Sequence, residues 1–154
     1  EINKGTEFSI LLPAVSVSKM ENKKEKNSAS EKLHILIMDD EKDIRNILSE
    51  AIKSLGHEVS VSSDQEETLM KIQSTAKPFD ACIMDFTIKG GTSAKELVQE
   101  IKKLDDKMKI IVSSGYSDSF LKVYKDYGFD ANLNKPYTIE DLNNVLSEVF
   151  HKRE

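Results

Sequence analysis

Residues 33–40 read LHILIMDD, a near-continuous apolar run closed by two adjacent carboxylates. A run of this length without strict alternation is what a strand covered on both faces requires, and such strands belong to parallel sheets. The pattern extends outward from it. Ile44, Ile47, Leu48, Ala51, Ile52 and Leu55 recur at helical spacing, and Gly56 ends that helix. EVSV (58–61) is a short strand, and Ser63 followed by Glu66 forms a capping box for a helix reaching about Thr75. FDACIMD carries a third strand to Asp85, and Ala94, Leu97, Val98 and Ile101 mark a third helix. KIIVSS (109–114) is the fourth strand, 117–127 a more polar helix, and ANLN (131–134) a short fifth strand. Thr138 caps a last helix built on Ile139, Leu142, Val145, Leu146 and Val149. Five strand–helix alternations predict a doubly wound, five-stranded parallel α/β sheet.

Composition narrows the function classes. The 154 residues fit one ordinary domain and a tail, and 38% hydrophobic content suffices for one core. A net charge of −5 lacks the concentrated basic footprint of a nucleic-acid binder. The lone Cys82 lies in an apolar run, so a buried thiol and a reducing, cytoplasmic compartment are expected. No apolar run approaches the ~20 residues of a membrane helix, and FSILLPAV lacks the basic leader of a signal peptide. The chain starts at Glu1, so a fragment of a longer protein is expected. Residues 19–32 are rich in lysine and glutamate without aliphatic periodicity and read as a solvated linker. Phe8, Ile10 and Leu12 alternate before Pro13, as in a strand. One strand cannot satisfy its own backbone, so residues 1–32 are expected to be largely disordered.

Each chemistry-bearing residue stands at the C-terminal end of an expected strand. In an open parallel sheet those ends share the edge where ligands bind. Adjacent Asp39 and Asp40 repel each other unless a cation lies between them, and hard oxygen ligands suit Mg²⁺. By itself the pair fits a helix N-cap equally well, with Asp40 just before the helix. Asp85 opposite tips the balance toward a metal. Buried at a strand end, Asp85 needs a cation to stay ionised, and near one it can attack a phosphoryl group. Ser113 and Ser114 alternate to opposite faces, so only one can meet a phosphate. Ser114 is chosen because Gly115 lets the backbone N–H approach an oxyanion closely. Lys135 precedes Pro136, whose turn aims the ammonium at phosphoryl charge. A dehalogenase-type hydrolase also uses a strand-end aspartate, but needs a second acid two residues on, where Thr87 stands. That absence argues against a small phosphatase.

The order Asp39-Asp40, Asp85, Ser114 and Lys135-Pro136 on five βα units resembles the receiver domain of two-component response regulators, over about residues 33–151. The resemblance implies the flavodoxin-like (βα)5 fold and a phosphoryl group passed from phosphohistidine to Asp85. It implies Mg²⁺ held by Asp39, Asp40, Asp85 and the Thr87 carbonyl. Phosphoryl oxygens would meet Thr87, Ser114, Gly115 and Lys135, with Ser114 shifting inward on phosphorylation. Such a domain catalyses its own phosphotransfer and dephosphorylation. Partners would be a histidine-kinase dimerisation domain, a histidine phosphotransfer domain or a second copy of the chain.

DFTIKGGTSAKEL, IIVSSGYSD and NKPYTIEDL look like receivers fused to hybrid sensor histidine kinases. NKGTEFSILLPA (3–14) is similar to the closing strand of a histidine-kinase ATP-binding domain. The domains expected are therefore a kinase remnant at 1–15, a linker at 16–32 and a receiver at 33–154. Two positions depart from the family pattern. Asn132 replaces a common aromatic switch residue, which moves attention to Tyr116, Tyr124 and Tyr127. Lys89 replaces a common proline. The competing reading is a receiver-like docking module that is not phosphorylated. Three clustered carboxylates, costly by repulsion, argue against it.

Overall fold

The computed structural model describes residues 31–86, 94–115 and 124–151. The expectations for residues 1–30, Thr87, Lys89 and Tyr116 fall outside them. Five strands, β1 (His34–Met38), β2 (Glu58–Ser62), β3 (Ala81–Asp85), β4 (Lys109–Ser114) and β5 (Ala131–Asn134), form one parallel sheet in the order β2-β1-β3-β4-β5. The helices are α1 (Lys42–Ser54), α2 (Gln65–Ser74), α3 (Ala94–Leu104) and α4 (Ile139–His151). The doubly wound architecture is as the sequence predicts.

Strand alternation splits the core into two layers. Ile35, Ile37, Ala81, Ile83, Ile111 and Leu133 pack against Leu48 and Ile52 of α1 and Leu142 and Leu146 of α4. Leu36, Met38, Cys82, Met84, Ile110 and Val112 face Leu97, Val98 and Ile101 of α3 on the other side. Removing each Leu, Ile, Val or Met side chain among them from water contributes about 1.5–3 kcal/mol. Burial pushes the Cys82 thiol up to about 12, so it stays protonated and inert.

Local signals set the helix ends, with one shift. Gly56 adopts φ 92° just past α1, as its C-terminal role predicts. Thr138 Oγ1 accepts from Asp141 N at 3.1 Å while Asp141 Oδ2 accepts from Thr138 N at 2.8 Å, a reciprocal cap for α4. The box expected from Ser63 and Glu66 sits one residue on. Asp64 caps α2 by accepting from Glu67 N at 2.8 Å, and Glu67 reaches back to Ser63 N at 2.7 Å. Two capping-competent residues in succession made the register ambiguous. Of the helix expected over 117–127, the described part is a 3-10 turn, Tyr124–Tyr127. Gly128 closes it at φ 95°, where a Cβ would stand 2.9 Å from Val98 Cγ1. Any side chain there would be strained by the positive φ and would press on the Val98 side chain.

Candidate functional site

β1 and β3 are neighbours in the sheet but not in sequence, and the helices that follow them pack on opposite faces. A crevice opens beyond the strand ends at such a switch point. Asp39 leaves β1 there, 2% exposed, and Asp85 ends β3 there, 6% exposed. Asp40 is exposed beside them. One oxygen from each of the three carboxylates lies within 4.8 Å of the others. Lys135 Nζ enters from the end of β5, 3.4 Å from Asp85 Oδ2 and 3.5 Å from Asp39 Oδ2. The Lys135–Pro136 peptide bond is cis.

The backbone around the acids is pinned. Asp39 Oδ1 accepts from Glu41 N at 2.9 Å, and Arg45 donates to the Asp39 carbonyl at 2.6 Å. The N-cap of α1 is Glu41, without a side-chain cap bond, so Asp40 does not perform the capping role weighed for it. Burial works to lower the Lys135 pKa, but the charges of Asp85 and Asp39 outweigh it and hold the ammonium above its ordinary value. Among the described residues, the Lys135 ammonium pairs with two of the three clustered carboxylates, Asp39 and Asp85. Oxygen-only donors of this kind fit a hard divalent cation such as Mg²⁺.

The two serines take different places. Ser113 pairs in register with Asp85, whereas Ser114 lies opposite Asn134. Ser114 Oγ donates to Asn132 Oδ1 at 3.2 Å, and Asn132 Nδ2 donates to Asn134 Oδ1 at 2.6 Å. Ser113 Oγ is buried without a hydrogen-bond partner; the Tyr137 phenol stands beside it but short of hydrogen-bond geometry. Gly115 follows, with open space where a Cβ would stand. The structure thus places Asp39, Asp40, Asp85 and Lys135, all singled out in the sequence, at one edge of the sheet. Sequence reasoning missed the Ser114–Asn132–Asn134 chain, although positions 132 and 134 share one face of β5 by alternation. Tyr124 and Tyr127 flank the α3 layer, and Tyr127 meets Phe86 edge to face with ring centroids 6.0 Å apart.

An open parallel sheet with an acidic cluster and a half-buried lysine at its switch point defines a CheY-like α/β domain. The chain belongs to the response regulator receiver domain family, whose family model matches residues 35–147. It is 29% identical to a probable chemotaxis protein CheY of Rhizobium etli, over 80% of this chain and 96% of that protein. It is 24% identical to sporulation initiation phosphotransferase F of Bacillus subtilis, over 74% of this chain and 90% of that one. A putative NtrX-like response regulator of Rickettsia bellii is 28% identical over 71% of this chain, which spans only 23% of that protein.

Among solved structures, the chemotaxis regulator CheY4 of Vibrio cholerae superposes with TM-score 0.69 at 25% identity, covering 77% of this chain and 99% of that one. TrrA of Thermotoga maritima, solved in complex with Mg²⁺–BeF, superposes with TM-score 0.66 at 27% identity, covering 77% and 99%. The protein is thus a receiver domain of the two-component response regulator type. Among the described residues, no helix is long and apolar enough to cross a membrane.

Proposed function

We propose that Asp85 accepts a phosphoryl group from a phosphohistidine on a kinase dimerisation domain or a histidine phosphotransfer domain. The observation that carries this reading is Lys135 Nζ standing 3.4 Å from Asp85 Oδ2 inside a cluster of three carboxylates. An Asp85 oxygen forms the new bond to phosphorus as the P–N bond to the donor imidazole breaks. Lys135 offsets the charge arriving on the phosphoryl oxygens. Asp39, Asp40 and Asp85 would hold Mg²⁺, joined by the Thr87 carbonyl, and the ion would supply further neutralisation of phosphoryl charge. Ser114 and the Gly115 backbone would contact phosphoryl oxygens once Ser114 leaves Asn132.

The same reading extends to context. GTEFSILLP (5–13), the lysine-rich stretch after it and the receiver that follows support an origin in a cytoplasmic hybrid histidine kinase. Residues 1–15 would then be the end of its ATP-binding domain and 16–32 a linker. Ile47 on α1, the helix that follows Asp39 and Asp40 in the chain, is 67% exposed and offers an apolar contact for a helical partner.

Intact-mass measurement after incubation with Mg²⁺ and a small acyl phosphate tests the proposal. One phosphoryl mass is expected on the parent chain and none on Asp85→Asn or without Mg²⁺. Tight Mg²⁺ binding without any adduct would instead favour the unphosphorylated docking module.

A further inference from the structure

The Ser114 hydroxyl carries one proton and therefore donates one hydrogen bond at a time. Here that bond goes to Asn132 Oδ1 at 3.2 Å. The amide acceptor is itself oriented, because Asn132 Nδ2 is held at 2.6 Å by Asn134 Oδ1 two residues along β5. Asn132 is half-buried and Asn134 exposed, so the chain runs from the edge of the site to the surface. An aromatic ring at position 132 would offer no acceptor of this strength; the amide does.

We propose that Asn132 is a positioning residue that holds the Ser114 hydroxyl away from the Asp85 pocket until a phosphoryl oxygen competes for its proton. The inference rests on the reading of Asp85 as phosphoacceptor and Ser114 as phosphoryl contact, and deepens it. Two consequences follow from the exclusive bond. Phosphoryl binding must break the Ser114–Asn132 hydrogen bond, so the resting chain binds a phosphoryl group less tightly than it could. Breaking it also frees Asn132 to move relative to Asn134, so the state of Asp85 is reported at the open side of β5. This side is not a featureless edge: Asn132 and Asn134 line a cavity of ≈ 330 Å³ with Pro136, Asp141 and Asn144.

The test is calorimetric titration of the full chain with beryllofluoride in the presence of Mg²⁺, a phosphoryl mimic that the Thermotoga relative accepts. Asn132→Leu removes the acceptor at similar volume and should tighten binding by about two- to tenfold, the range that the net worth of one hydrogen bond spans. Asn132→Asp keeps an acceptor oxygen and should not tighten it. Asn134→Ala, at an exposed position that leaves the fold intact, should tighten it less than Asn132→Leu but in the same direction. In a Ser114→Ala background, Asn132→Leu should have no tightening effect.

Unchanged or weaker binding by both Asn132→Leu and Asn134→Ala would overturn the inference. So would tightening that persists without the Ser114 hydroxyl, because Asn132 would then act by some route other than Ser114. A parent chain that shows no Asp85-dependent binding would instead overturn the phosphoacceptor reading itself, and the inference with it.

Discussion

The two edges of the sheet hold the same chemistry in opposite proportion. At the entry edge, one carboxylate, Asp130, is met by Lys102 Nζ at 2.9 Å, Lys109 Nζ at 3.3 Å and Ile110 N at 2.9 Å. At the exit edge, among the described residues, three carboxylates cluster and two of them, Asp39 and Asp85, share the ammonium of Lys135. Burial raises the Asp130 pKa, but its backbone bond and the two lysines outweigh that and hold the carboxyl below the ordinary range. The Asp130 charge is therefore answered by the chain itself. At the exit edge the clustered carboxylates outnumber the Lys135 ammonium that pairs with them among the described residues, an arrangement that a bound divalent cation would relieve. The contrast separates a carboxylate tied into the chain's own contacts from the carboxylates to which the proposed phosphoryl chemistry assigns a role.

The largest expected effects separate the two edges outright. Asp85→Asn should abolish phosphoryl uptake while leaving metal-free stability within about 1 kcal/mol of the parent. Asp130→Asn should do the reverse, leaving uptake intact and costing about 2 kcal/mol in urea unfolding, because two lysines lose their shared negative charge and one of the two acceptor oxygens becomes an amide donor. The comparison would break if both substitutions damaged uptake equally. Asp130 also fixes a pH dependence. Its folded pKa lies below the unfolded value of about 3.9, so its contribution is complete above that pH and disappears as pH falls through the folded value. Parent and Asp130→Asn should accordingly converge in stability below about pH 4. A gap that widened in acid would contradict the assignment.

A smaller effect sharpens the same comparison. Mg²⁺ at ten times its dissociation constant should stabilise the parent by about 1.4 kcal/mol, through binding to the folded state alone. Asp39→Asn should lose most of that gain and Asp130→Asn should retain all of it, as read by thermal unfolding with and without the ion. Equal loss in both variants would mean that Mg²⁺ acts on the surface at large.

The entry edge was illegible in the sequence and the exit edge largely legible, for a physical reason. Asp39, Asp40 and Asp85 each close an apolar run and Lys135 follows the short strand ANLN, so the strand pattern projects them onto one edge. Asp130 gathers partners from positions 102, 109 and 110, and no local pattern announces that meeting. Likewise the Ser63 box moved to Asp64 because adjacent residues compete for one cap, a choice that only tertiary geometry decides. Ser114 and Asn132 look unrelated in sequence; the pairing of β4 with β5 brings them together.

The smallest effect concerns the two adjacent serines. Ser113 Oγ is buried, 2% exposed, in register with Asp85 and without a hydrogen-bond partner. An unpaired buried hydroxyl costs about 1–3 kcal/mol, and Ala at this position removes that penalty while leaving a gap of one oxygen atom. Ser113→Ala should therefore raise stability by about 0.5–1 kcal/mol. Its phosphoryl uptake should match the parent, whereas Ser114→Ala should slow uptake or shorten the lifetime of the adduct. Stability and uptake are both measured because they decide different things. A Ser113→Ala chain that gains stability but loses uptake would show that the unpaired hydroxyl is held in readiness for the phosphoryl group. The role assigned to Ser114 would then pass to its neighbour, which already shares the face of Asp85.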